Sequence, residues 1–303
     1  MIGAALAPIR LPANPVPRFY RGGPAIARFR GIEPAEDQAP EDWVGSTTAA
    51  FGEQALGLSV LEDGRLLRDA VAENPEGFLG PEHVARYGTD TMLLVKLLDA
   101  GERLPVHYHP DDDFALRHGF GHGKTEAWLI VEAKPGAAVW LGFRDEVDRD
   151  ALQARLDGDD LLDLLNERPV GAGDYVFVPA GVPHAIGEGI LVLELQQPSD
   201  LSVLLEWSAF GLDGGLDLDP GLESLDLRAF HGGEDPVTDA FFRAERIGAG
   251  SLEPGFSVLV VLDGRGRLGE LELARGDTVL LPYAAGPTEL SGDVVAVRCR
   301  PPR

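Results

Sequence analysis

The stretch LPVHYHPDDD (104–113) places two of the chain's seven histidines, His107 and His109, one residue apart. In an extended strand residues i and i+2 share a face, so both imidazoles project the same way and Tyr108 faces the other. Two imidazoles on one face are the start of a divalent metal site. Further on, Glu126 heads the apolar run EAWLIVEA (126–133) and His184 follows the turn VPAGVP (178–183). Three imidazoles and one carboxylate suit Zn²⁺, and also Fe²⁺, Mn²⁺, Co²⁺ or Ni²⁺. An isolated H-x-H is more often a pair of exposed histidines at a strand end, so the reading depends on the fold that gathers the other two ligands.

The elements that would gather them are short. Apolar runs bounded by Gly, Pro and Asp recur through the chain, among them TMLLVKLL (91–98), AVWLGF (138–143), DYVFVPA (174–180), GILVLELQQ (189–197), FSVLVVLDG (256–264) and DTVLLP (277–282). Such runs read as strands of a sandwich or barrel. One segment breaks the pattern: in 145–168 Val147, Leu152, Leu156, Leu161, Leu162 and Leu165 fall near helical spacing, with Pro169 closing the run. The segment TDAFFRAERI (238–247) fits helix or strand, and 213–235, rich in Gly, Asp and Leu, reads as a connection.

The two halves also repeat. Strand, glycine turn, strand and then G-D-x-φ-φ-x-P occur around Gly173-Asp174 and again around Gly276-Asp277, ending at Pro179 and Pro282. The repeat predicts paired hairpin units entered by tight turns. Only the first copy carries a histidine after its proline, so only the first should hold a site.

Composition narrows the function. The 303 residues and 44% hydrophobic content suffice for one large or two modest domains. Fifty acids against 26 bases leave a formal charge of −24, which argues against nucleic acid and against anionic membrane surfaces. The single cysteine, Cys299, excludes an internal disulfide framework and a cysteine-based zinc site. The first residues lack the charged and apolar regions of a signal peptide, and no run is long enough to span a bilayer. The expectation is a cytoplasmic protein.

The stretches HPDD (109–112), GKTEAWLIVEAKPGAAVWLGF (123–143) and GDYVFVPAGVPHAIGEGILVLELQQPSD (173–200), together with EDWVGS (41–46), resemble type I phosphomannose isomerase of the cupin superfamily. The resemblance covers roughly residues 40–300. It implies a mainly β fold: a duplicated cupin (double-stranded β-helix, jelly-roll-like) with a small helical insertion near 145–168. Residues 1–90 would complete the first barrel, 91–212 would form the metal-binding cupin, and 213–303 would form a degenerate C-terminal cupin. The metal ligands implied are His107, His109, Glu126 and His184, holding one divalent ion, most readily Zn²⁺. Lys124 matches a family active-site lysine and shares the strand face of Glu126, and Glu194 matches a family acid assigned to proton transfer. The bland reading of Glu194, within ILVLELQQ, is a buried acid satisfied by hydrogen bonds; a carboxylate alternating toward a metal cavity costs less than one in a dry core.

Three positions depart from the family pattern. His107 stands where the family usually has glutamine, Pro105 where a serine commonly helps hold the substrate phosphate, and Leu204 where it has arginine. The expected function is a metal-dependent aldose–ketose isomerase acting on a sugar or sugar phosphate, as a monomer or homodimer. Mannose 6-phosphate is the family's substrate, and an unphosphorylated sugar is favoured here by the losses at Pro105 and Leu204. The alternatives are a non-catalytic metal- or sugar-binding cupin and a different metallo-cupin enzyme such as an iron oxygenase. A phosphate site would need Arg103, Arg117, Lys124 or Arg144 to converge on the cavity. Tyr108, Trp128 and Trp140 are expected as packing, His118 and His122 as loop histidines near the site, and Asp111, Asp112 and Asp113 as solvated turn residues, with Asp111 a candidate to orient a ligand histidine.

Overall fold

A computed structural model describes residues 6–34, 39–158, 160–212, 222–232 and 240–303. The fold is mainly β, with three antiparallel sheets. A six-stranded sheet runs in the order Pro15–Val16, Glu41–Val44, Leu94–Ala100, Ile190–Gln196, Glu126–Ala133, Tyr175–Val178. A five-stranded sheet runs Val203–Leu204, His107–Tyr108, His184–Ile186, Ala138–Phe143, Leu165–Pro169. These two face each other as the first barrel. The third sheet has seven strands, centred on the long strands Ser257–Leu268 and Thr288–Arg300, and forms the second barrel.

Strand alternation explains the continuous apolar runs. In Ile190–Gln196 the side chains of Leu191, Leu193 and Leu195 enter a core shared with Val258, Val260, Leu280 and Val297 of the second barrel. The alternate residues Ile190 and Val192 enter the first barrel's interior with Ile130, Val139, Leu141 and Val176. A sheet buried on both faces loses the polar half of its pattern. Glu194 and Lys96 therefore stand out: both lie on the barrel-interior face, directly opposite each other in register.

The repeated turns are built alike. Asp174 Oδ2 accepts from the Gly171 amide and Asp277 Oδ2 from the Ala274 amide, while Gly173 and Gly276 take φ of 94° and 86°. Those angles favour glycine. Each turn feeds a buried strand, Tyr175–Val178 in one barrel and Thr278–Leu281 in the other. The N-terminal strands divide: Pro15–Val16 and Glu41–Val44 join the first barrel, but Ile9–Arg10 pairs with Thr278–Leu281 of the second.

Several local expectations change. Among the described residues of the 145–168 insertion only Arg149–Gln153 is α-helical; Leu161–Leu164 is a 3₁₀ turn, and Leu165–Pro169 is a strand paired with Ala138–Phe143. Asp157 at φ 60° interrupts the helical path, and pairing at the sheet edge outweighs the leucine spacing. Helices appear elsewhere: Ala25–Arg30, Leu67–Glu73, Pro75–Leu79 and Pro81–Tyr87 pack beside the shared core. The DDD run opens a helix where a turn was expected, although Asp111 and Asp113 face solvent as expected. Asp111 caps the helix Asp112–His118 by accepting from the Phe114 amide, and it orients no ligand histidine. The described part of TDAFFRAERI contains the strand Arg243–Ile247, while residues 238–239 lie outside the described residues, as do 213–221 and 233–235 of the connection. No helix among the described residues is long and apolar enough to cross a membrane.

Candidate metal centre and substrate cavity

Strand register brings the first three candidates together. His184 pairs with His107 across adjacent strands, and His109 follows one residue after the His107–Tyr108 strand. The ring centroids lie 4.2 Å (His107–His184), 4.9 Å (His109–His184) and 5.0 Å (His107–His109) apart. One ligand nitrogen from each lies within 4.8 Å of the others. Glu126 comes from the opposing sheet, with Oε2 3.2 Å from His109 Nε2 and Oε1 3.3 Å from His184 Nε2.

Each ring has its other nitrogen engaged. His107 Nδ1 lies 2.8 Å from the Pro105 carbonyl, His109 Nδ1 2.9 Å from Leu201 O, and His184 Nδ1 2.9 Å from Val182 O. A carbonyl can only accept, so each Nδ1 carries the proton and Nε2 keeps a lone pair toward the cluster. Burial pushes the His107 pKa down to about 3 and holds those of His109 and His184 well below the ordinary range. Neutral imidazoles are what a cation requires. His184 Nε2 is buried and makes no hydrogen bond, an unfavourable state that a divalent ion would relieve. The donor set fits a metal.

Around this cluster lies a charged cavity. Lys124 Nζ is 2.8 Å from both His109 Nε2 and Glu126 Oε2, and 3.6 Å from Glu194 Oε1. Burial alone would lower the Lys124 pKa, but the carboxylates of Glu126 and Glu194 outweigh it and raise the value. Burial pushes Glu126 up, but the Lys124 charge together with hydrogen bonds from Glu194 and Lys124 outweighs it and holds the group below its usual range. Glu194 goes the other way: burial and then the Glu126 charge push it up to about 7, against Lys124 and Lys96. Its Oε2 makes no hydrogen bond and the residue lines the cavity. Two neighbouring carboxylates with pKa values driven apart are the pattern of a proton-transfer site.

Trp128 is more than packing. It lines the cavity, its indole Nε1 donates to Glu126 Oε1 at 3.0 Å, and its ring meets His184 edge-on at 5.4 Å. Tyr108 is fully buried and Trp140 packs on the same core, as expected of barrel residues. Of the proposed phosphate cations only Lys124 lines the cavity. Arg103 pairs with Glu206 at 2.7 Å, Arg117 with Glu223 at 2.5 Å, and Arg144 is exposed on the turn after Ala138–Phe143. His118 stacks on Phe114 and His122 binds Asp90, both outside the cavity lining.

Sequence reasoning missed four charged residues in and behind the cavity. Arg18, Glu41 and Lys96 line it, and Asp200 stands behind them, 2.9 Å from Arg18 Nη1 and 3.8 Å from Lys96 Nζ. Glu41 Oε2 accepts from the Trp43 indole and its other oxygen from Tyr20; Lys96 lies 3.5 Å from it and 4.7 Å from the Trp43 ring centre. A lysine inside the run TMLLVKLL was the available signal.

Comparison with known proteins decides the family. The chain is 30% identical to mannose-6-phosphate isomerase ManA of Bacillus subtilis over 302 residues, covering 89% of this chain and 92% of that protein. The chain belongs to the mannose-6-phosphate isomerase family. It is 34% identical over 183 residues to a mannose-6-phosphate isomerase of Streptococcus mutans, a match spanning 59% of this chain and 54% of that one. No protein-family model matches the chain. Among solved structures, the Bacillus subtilis mannose 6-phosphate isomerase superposes with a TM-score of 0.84 at 24% identity, covering 97% of this chain and all of that one. A mannose 6-phosphate isomerase bound with zinc and yttrium superposes at 0.76 and 16% identity, over 98% of this chain and all of that one. These likenesses establish the cupin fold, and family membership makes the chain an isomerase.

Proposed function

We propose that this chain interconverts mannose 6-phosphate and fructose 6-phosphate, using one Zn²⁺ held by His107, His109, Glu126 and His184. The observation that carries the reading is the convergence of these donors beside the cavity lined by Glu194, whose Oε2 makes no hydrogen bond. Supporting the ion and the substrate, one structural neighbour is described as zinc-bound and the curated relatives are named for mannose 6-phosphate. The bound ion would polarise the sugar's carbonyl and stabilise negative charge on its oxygen.

The chain's own residues supply the rest. Glu194, with a pKa of about 7, is matched to accept a proton at Oε2 from the carbon beside the carbonyl and to return it to the neighbouring carbon. Lys124 keeps its proton and can donate to a substrate oxygen from its place between Glu126 and Glu194. Trp128 fixes the Glu126 carboxylate, and the apolar walls Leu98, Leu104 and Ile186 limit water. In this reading the barrel built from 91–212 and the N-terminal segment is the catalytic unit, and the barrel after residue 213 carries no second site.

The test is metal analysis of the purified protein followed by assays on mannose 6-phosphate and on free mannose. The expected kcat/KM on the phosphorylated sugar is above about 10⁴ M⁻¹s⁻¹. A zinc-loaded protein that converts neither sugar would overturn the reading. Turnover of free mannose alone would overturn the assignment of a phosphorylated substrate.

A further inference from the structure

The strand Val203–Leu204 pairs with His107–Tyr108, and Leu204 sits directly opposite His107. Leu204 and Pro105 both line the cavity, so the two groups absent from their positions are absent from its wall. A guanidinium nevertheless reaches that cavity from another segment. Arg18 follows the strand Pro15–Val16 and lines the cavity together with Leu204 and Ser202. It also lines an outer cleft formed with Phe19, Phe51, Asp200, Ser202 and Leu204, which places it where the inner cavity meets solvent.

The arginine is held in place. Its Nη1 and Nη2 donate to the two oxygens of Asp200 at 2.9 and 3.1 Å, and Asp200's side chain is only 3% exposed. Nε lies 3.4 Å from Glu41 Oε1 and makes no hydrogen bond. A fork gripped end-on by one carboxylate still has an outer N–H on each Nη, and the side chain is 18% exposed. The charges around it matter as well. Arg18, Lys96 and Lys124 face Glu41, Glu126, Glu194 and Asp200, three cations against four carboxylates. With Glu194 ionised the bare group is net −1, and a divalent ion would make it net +1, able to accept an anionic substrate despite a chain charge of −24.

We propose that Arg18 is a specificity-determining residue that binds the phosphate group of the substrate, supplying from the N-terminal segment the cation that position 204 lacks. The proposal rests on the isomerase reading above and adds the residue that selects the phosphorylated sugar. Asp200 acts as its positioning residue, setting the plane of the guanidinium.

The test compares wild type, Arg18→Met and Arg18→Met/Leu204→Arg, all zinc-loaded, by the ratio of kcat/KM on mannose 6-phosphate to kcat/KM on free mannose. Arg18→Met should lower that ratio about 10- to 100-fold, the size of one lost charge-assisted hydrogen bond. The double variant should recover part of it, because an arginine opposite His107 faces the same cavity. In parallel, inorganic phosphate is titrated calorimetrically into the zinc-loaded proteins, with binding at least tenfold weaker in Arg18→Met. If Arg18→Met alone fails to fold, Arg18→Met/Asp200→Asn, which removes both charges of the pair, takes its place. An unchanged ratio together with unchanged phosphate binding overturns the proposal, since a purely structural arginine would depress both sugars equally. If wild type converts neither sugar, the isomerase reading falls, and the phosphate titration still decides Arg18.

Discussion

At the residue scale, the centre depends on how each imidazole is oriented. The three Nδ1 atoms are tied to backbone carbonyls of Pro105, Val182 and Leu201, so ring orientation is set by strands and turns and not by a neighbouring acid. Replacing His107 and His184 together with Ala should abolish metal binding and leave far-UV circular dichroism of a β protein, because the apolar clusters that hold the sheets together do not include either histidine. Stoichiometric metal on that variant would refute the ligand assignment. Glu126 depends on its own support. Trp128→Phe keeps the ring but deletes the N–H at 3.0 Å from Glu126 Oε1. Lost outer contacts of this kind cost about 10- to 100-fold in metal affinity. Competition against a chelator of known affinity measures it, and an unchanged affinity would show that Glu126 needs no such anchor.

Elements impose a second layer. The glycine-rich turn after Asp112–His118 returns the chain to Lys124, and a Cβ at Gly123 would lie 2.4 Å from the Asp111 carbonyl carbon. This turn is pinned by His122 Nε2, 2.8 Å from Asp90 Oδ2 on the segment leading into Leu94–Ala100. The Asp90 hydrogen bond raises the His122 pKa, whereas that of Asp90 is lowered because its hydrogen bonds and the His122 charge outweigh burial. A histidine whose folded-state pKa exceeds its unfolded value contributes its full stabilisation below about pH 6.5 and loses it as pH rises through the raised value. Asp90, shifted down, contributes above about pH 3.9 and loses its part as pH falls through the lowered value. His122→Gln should therefore cost more thermal stability at pH 6 than at pH 9. An equal loss of Tm at both pH values would show that charge on His122 is irrelevant.

For the whole molecule, duplication has separated two roles. Both barrels use the same G-D turn, yet no histidine occurs after His231, so the strands from Arg243 to Arg300 contain none. The second barrel instead packs Val258, Val260, Leu280 and Val297 against Leu193 and Leu195, the outer face of the sheet whose inner face bears Glu194 and Lys96. It supports from behind the sheet that carries Glu194 and Lys96. Titration with zinc should show one tight site per chain, lost in the His107/His184 variant. A second tight site that survives those changes would contradict the division.

The amino-acid sequence by itself determined the short apolar strands, the duplicated turns and, through its family resemblance, six candidate residues, His107, His109, Lys124, Glu126, His184 and Glu194, whose side chains lie close together in the structure. Those signals are local: an H-x-H pair, a lysine two residues before a glutamate, a glutamate in an apolar run. Their meeting depends on register, because His184 reaches His107 only through the pairing of His184–Ile186 with His107–Tyr108. Tertiary structure alone decided the rest. The leucine spacing of 145–168 failed because sheet pairing at Leu165–Pro169 recruited its end, a non-local gain invisible in a window of residues. Arg18, Glu41, Lys96 and Asp200 come from four separate segments, and each is an ordinary charged residue until burial forces it to find a partner. The loss of arginine at 204 was legible in sequence, but the guanidinium beside it was not. Its approach depends on the Pro15–Val16 strand folding onto the sheet that carries Glu194.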